Sequence, residues 1–192
     1  MKKFLSITVA IALTSFFISC GGETKSQQQT KPEDSTKTVQ PPKDADQLSF
    51  TVKDLDGVIR NSSEWVGKKP LVINIWGTWC PPCRAEIPAF VKAYDIYSKK
   101  GVEFLGIAVK DSPDKVDKFA TANNMKWVMM LFSSAELVER FKIEAVPTTI
   151  FVDRNGKVMK IYNPRTKTYT ESFSGAMHYD QFVGYLDTLV SI

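Results

Sequence analysis

Hydrophobic positions along this 192-residue chain fall into three regimes. Residues 5–18 form an apolar stretch behind Lys2 and Lys3, short for a membrane-spanning helix. Residues 21–44 hold no aromatic side chain and almost nothing apolar. A segment of that composition cannot bury enough surface to order itself, and it reads as a tether spanning roughly 25–30 Å as a random coil. From residue 46 the pattern becomes globular. Residues 48–52 alternate, 54–57 are turn-like and 58–60 follow, which predicts a hairpin, and 62–65 predict a short helical turn. Leu71–Trp76 is a continuous apolar run, the mark of a strand covered on both faces.

The helix predicted after Cys83 places Ile87, Phe90, Val91 and Tyr94 on one stripe, with Pro88 expected to kink it. Strands over 102–109, 127–132 and 148–152 then alternate with helices over 113–122 and 135–141. A turn at 153–156, a strand at 157–162 and a last helix over 179–190 close the chain. The alternation predicts an α/β fold with a mostly parallel central sheet, helices on both faces and an antiparallel edge from the closing hairpin. Residues 166–173 alternate weakly and suit either an extra edge strand or an exposed loop, with the strand favoured.

Composition adds little to this picture until it reaches the cysteines. At 43% hydrophobic and 24% charged residues the chain is an ordinary globular protein plus a tail. Its formal charge of +4 would fall to +2 on loss of residues 1–19, too small and scattered to argue for nucleic acid. Those residues have a secretory signal layout: a basic start, the apolar stretch, then Ser19 before Cys20. The cysteine at the cut resembles the lipobox of bacterial lipoproteins, which implies that Cys20 is lipidated and that residues 20–45 tether a domain over 46–192. A plain signal peptide or an uncleaved anchor is the alternative.

Three cysteines are an awkward count for an exported chain. With Cys20 assigned to lipid, Cys80 and Cys83 remain as a pair. A two-residue loop constrains the unfolded chain little, so the pair reads as functional rather than as a staple. Proline after Cys80 biases that residue away from helical geometry, and Pro81 suits the first helical position. The first free backbone donor is then the Cys83 amide, within reach of the Cys80 sulfur. Cys80 is therefore expected to be an exposed nucleophile with a depressed pKa, and Cys83 the resolving thiol one turn into the helix. A structural zinc site wants four ligands, and the chain adds only His178 to the pair. An inert disulfide is the other alternative. A peroxidase would want a lone activated cysteine in its own threonine and proline framework, which Thr78 fits poorly. Trp79 is expected on an exposed docking surface, Trp76 in the core, and Met125, Met129 and Met130 in packing.

Trp79-Cys80-Pro81-Pro82-Cys83, Pro88, and Val146-Pro147-Thr148 leading into a strand together resemble the thioredoxin superfamily. The N-terminal hairpin, the Trp-Gly-Thr-Trp-Cys lead-in and the βα segment inserted after the first helix resemble its TlpA/ResA-like membrane-tethered branch. The resemblance implies a thioredoxin-like fold with a mixed central sheet flanked by helices. It also implies a cis Pro147 beside the disulfide and client docking on Trp79, Pro81, Pro82, Val146, Pro147 and Thr148. Thioredoxin's buried aspartate is replaced by Asn74, which cannot accept its proton. The branch's glutamate is matched by Glu86, which flanks the apolar stripe and would exchange protons with Cys83 if buried. A surface glutamate in the first helical turn is the plainer reading. The implied activity is thiol–disulfide exchange with client cysteines and no bound cofactor or metal. It would be reductive, recharged by a membrane thiol reductant on the extracytoplasmic side, with cytochrome c maturation as one setting. An oxidase or isomerase, or a non-catalytic adaptor or redox sensor, remains open.

Overall fold

The structure, a computed structural model, describes residues 47–133, 135–164 and 166–192. The expected signal segment at 1–19, lipidation of Cys20 and the tether at 20–45 lie outside the described residues.

The chain opens with a hairpin of β1 (Thr51–Asp54) and β2 (Ile59–Asn61). Asp54 closes it, its carboxylate accepting from the amides of Asp56 and Val58, while Gly57 turns the chain at φ 86°. A left-handed residue is needed there, and glycine takes that conformation without steric penalty. β3 (Leu71–Trp76) follows, then α1 (Pro81–Tyr97), β4 (Glu103–Ala108), α2 (Pro113–Ala122) and β5 (Val128–Phe132). α3 (Glu136–Phe141) leads to β6 (Thr148–Val152). Three short strands, β7 (Ile161–Asn163), β8 (Thr168–Thr170) and β9 (Phe173–Ser174), precede α4 (Tyr179–Ser191).

Seven strands form one sheet in the order β2-β1-β5-β4-β3-β6-β9. β3 lies inside it, beside the central β4, with all six residues buried, paired in parallel with β4 and antiparallel with β6. Only the β3–β4 and β4–β5 pairings are parallel. The other four are antiparallel, so the sheet is mixed, as the resemblance implies, rather than mostly parallel, as the alternation alone predicts. Strand alternation divides the buried residues between two faces. Val72, Trp76, Phe104 and Phe151 face α1, α2 and α4, where the Phe90 and Phe182 rings stack with centroids 4.0 Å apart. Leu71, Ile73, Ile75, Leu105 and Ile150 face the other way, onto α3 and the segment around Phe50.

Two expectations need correction. Residues 157–162 are not one strand. Val158 bridges Val152 and the Met159 amide donates to the Phe151 carbonyl, after which the chain leaves to pair β7 with β8. The reason lies in β9, which takes the rest of β6's outer edge through Thr149↔Phe173 and Thr148↔Ser174. The weakly alternating stretch thus supplies ordered strands. The buried stripe of α1 runs through Cys83, Glu86, Ile87, Phe90, Ala93 and Tyr97, with Val91 and Tyr94 at its margin. Glu86 stands within the stripe rather than beside it. Among the described residues no helix is long and apolar enough to cross a membrane.

Candidate active site

The site forms where β3 hands over to α1. Gly77 permits a close approach: a Cβ there would stand 2.6 Å from the Trp79 indole nitrogen. The indole folds back over the backbone and donates from Nε1 to the Val109 carbonyl at 2.9 Å. Thr78 fixes the same loop, its amide and its hydroxyl each donating to the Asp111 carboxylate at 2.7 Å. The residues just after β4 therefore hold the loop that carries the first cysteine.

Cys80 is the N-cap of α1, in extended geometry at φ −93° and ψ 111°. Pro81 and Pro82 fill the first helical positions, and the Cys83 amide donates to the Cys80 sulfur at 3.2 Å. Cys80 and Cys83 are joined in a disulfide with Cα atoms 5.3 Å apart. The Val146–Pro147 peptide bond is cis, and the Val146 carbonyl oxygen lies 3.6 Å from the Cys80 sulfur.

Cys80 is only 2% exposed, contrary to its expectation as an exposed nucleophile. Its cover comes in part from the Val146 backbone, 66 residues away in sequence. The exposed groups are its neighbours: Pro81, Pro82 and Trp79, the last at 52%. Thr148 also departs from its expected place on the docking surface. It is buried, and its hydroxyl donates to the Ala145 carbonyl. Val146 is half-buried and lines a cleft of about 290 Å³ with Trp79, Val109, Lys110, Phe132 and Ala145. Trp76 is core, as are Met125 and Met130, and exposed His178 merely caps α4.

Glu86 is 3% exposed, one turn beyond the cysteines. The Asn74 side-chain amide donates to Oε1 at 2.9 Å and the Met177 backbone amide donates to Oε2 at 3.1 Å. Burial pushes its pKa up to about 7, while the two donors pull the other way by favouring the carboxylate. The Asn74 amide also donates to the Thr149 hydroxyl at 3.2 Å. So the two positions singled out separately in the sequence are one hydrogen-bonded pair.

Asp111, Thr149 and the Met177 amide are the contributors that sequence reasoning missed. Asp111 carried a faint signal, an acidic residue just past a strand. Thr149 could have been found by alternation on β6, which aims it at the same face as Phe151. Met177 contributes only a backbone amide, which no side chain announces.

Together these groups can run disulfide exchange: a sulfur pair capping a helix N-terminus, an exposed apolar rim, and a carboxyl that titrates near neutrality. Residues 45–161, more than half of the chain, match the model of the AhpC/TSA family. The chain belongs to the AhpC/TSA family. Its similarity to thiol-disulfide oxidoreductase ResA of Geobacillus thermodenitrificans is 35% identity over 112 residues, 58% of this chain and 64% of that one. With ResA of Bacillus subtilis it is 30% over 128 residues, 67% and 69% of the two chains. The alignment thus spans just under two thirds of the first of these relatives. Among solved structures, a thioredoxin-family thiol:disulfide interchange protein from Chlorobium tepidum superposes with a TM-score of 0.59 at 26% identity. That match covers 74% of this AhpC/TSA family member and 93% of the other chain. The fold is thioredoxin-like.

Proposed function

We propose that this protein is a thiol–disulfide oxidoreductase that exchanges two electrons with client cysteines through Cys80 and Cys83. The observation that carries the proposal is the disulfide capping α1, with the Cys83 amide on the Cys80 sulfur and the Val146 carbonyl beside it. In the reduced protein the Cys80 thiolate is stabilised by that amide and by the positive end of the helix. It attacks a client disulfide, forming a mixed disulfide and releasing one client thiolate. Glu86 takes the proton of Cys83. The Cys83 thiolate then attacks the Cys80 sulfur, which restores the Cys80–Cys83 disulfide and releases the second client thiolate. The client gains two electrons and the protein loses them.

Clients dock in extended form along Trp79, Pro81, Pro82 and the Val146–Pro147 backbone. The reductive direction, and a setting such as cytochrome c maturation, rest on the resemblance to the TlpA/ResA-like branch. So does recharging by a membrane thiol reductant. Lipidation at Cys20 and a tether to residue 45 would hold the domain at the extracytoplasmic face of a membrane.

Turnover of a model protein disulfide by the full chain tests the activity. Wild type should exceed Cys80→Ala by orders of magnitude. Equal rates would leave a non-catalytic adaptor as the function.

A further inference from the structure

Glu86 is held from three directions besides its own helix. Asn74 reaches it from β3 and the Met177 amide from the connection between β9 and α4. β6 acts at one remove. The Asn74 amide nitrogen carries two hydrogens; one goes to Glu86 Oε1 and the other to Thr149 Oγ1. Thr149 is 0% exposed and Asn74 6%, so neither amide hydrogen has water as an easy substitute acceptor. A buried donor left without an acceptor is penalised by its full desolvation. The hydroxyl therefore does more than fill space.

We infer that Thr149 is a positioning residue for proton exchange at Glu86: its hydroxyl takes the second hydrogen of the Asn74 amide and so aims the first at the Glu86 carboxyl. The inference rests on the proposed role of Glu86. Charge does not compete with this arrangement. On α1 Cys80 and Cys83 are joined in the disulfide and carry no charge. β3 and β6 offer the uncharged Asn74 and Thr149, and the β9–α4 connection its Met177 peptide, with His178 exposed beyond it. Burial and the two donors are what act on the Glu86 proton. Without the Thr149 hydroxyl the second hydrogen of the Asn74 amide is left unpaired and the side chain is no longer held in place from β6, so its bond to the carboxyl weakens. Glu86 then loses a donor that favours its ionised form, and it holds its proton to higher pH.

The test follows the Glu86 carboxyl through a pH titration by 13C NMR, alongside the pH dependence of disulfide exchange. It uses full-length wild type, Thr149→Val, Thr149→Ala, Thr149→Ser and Glu86→Gln. Loss of the hydroxyl in the Val and Ala variants should raise the carboxyl midpoint by roughly half to one pH unit. The limb of the exchange profile that depends on Glu86 should move with it, and Thr149→Ser should return both to wild-type values. Unmoved midpoints in Val and Ala would overturn the inference, even if Glu86→Gln removes that limb. If Glu86→Gln leaves the profile unchanged, the proposed role of Glu86 falls, while the NMR midpoints still decide whether Thr149 aims the amide.

Discussion

Glu86 binds its proton more tightly in the folded protein than in the unfolded chain, because burial disfavours the carboxylate. An acid with a raised folded pKa stabilises the fold below its unfolded pKa, and that stability is lost as pH rises through the folded value. The window here runs from the ordinary carboxylate value of 4.5 up to about 7. Wild type should lose on the order of 2–3 kcal/mol across it that Glu86→Gln does not lose, measured as the difference in urea stability between pH 4.5 and 8. Parallel pH slopes in the two proteins would contradict this. The slope is the decisive quantity, because glutamine has one carbonyl oxygen where the carboxylate offers one oxygen to Asn74 and the other to Met177, and this offsets stability alike at every pH. Gly77 carries a second residue-scale prediction. In Gly77→Ala the added methyl meets the Trp79 indole, breaks its bond to the Val109 carbonyl and lowers stability by about 1–3 kcal/mol. Exchange with protein clients should slow more than exchange with a small disulfide, since in the proposed docking only the former use the tryptophan rim. The cap geometry at Cys80 was legible in the sequence because two prolines and one amide decide it within four residues. The burial of Cys80 was not, because its cover includes a carbonyl 66 residues away. Asn74 and Glu86 each drew attention alone, yet their bond joins a strand to a helix across a loop that sequence spacing does not orient.

At the scale of elements, most strands and helices were readable from apolar periodicity, since each central one is covered on a known number of faces. The edge was not. β9 is two residues long and leaves no periodic signal, yet its occupation of β6's edge is what ends the pairing of the closing hairpin after Val158. The mixed character of the sheet came from the family resemblance and not from the alternation of elements, because strand direction depends on where β1 and β9 dock rather than on their own residues. The packing of α1 on α4 carries a direct prediction. Phe182 stacks on Phe90 and meets Phe104 and Phe151 at centroid distances of 6.0 Å. Phe182→Ala should lower stability by about 3–5 kcal/mol, seen as a reduced urea midpoint at unchanged m-value. A loss below 1 kcal/mol would show that this aromatic cluster does not hold α1 in place.

At the scale of the whole described domain, the fold sets a nearly buried disulfide at the end of an interior strand, β3, and leaves an apolar rim exposed around it. In the proposed exchange a client would reach Cys80 by docking on Trp79, the two prolines and the Val146–Pro147 backbone, which would couple reactivity to recognition. Closing or opening a two-residue loop changes unfolded-chain entropy little, so the oxidised and reduced proteins should keep the same fold. The exchange itself is tested most directly by Cys83→Ala in the full-length chain, expressed with its N-terminal segment intact. With no resolving thiol, clients should accumulate as mixed disulfides on Cys80, released by a small thiol reductant and missing from the Cys80→Ala/Cys83→Ala double variant. Recovery of no reductant-sensitive adduct on Cys80 would contradict the proposed exchange.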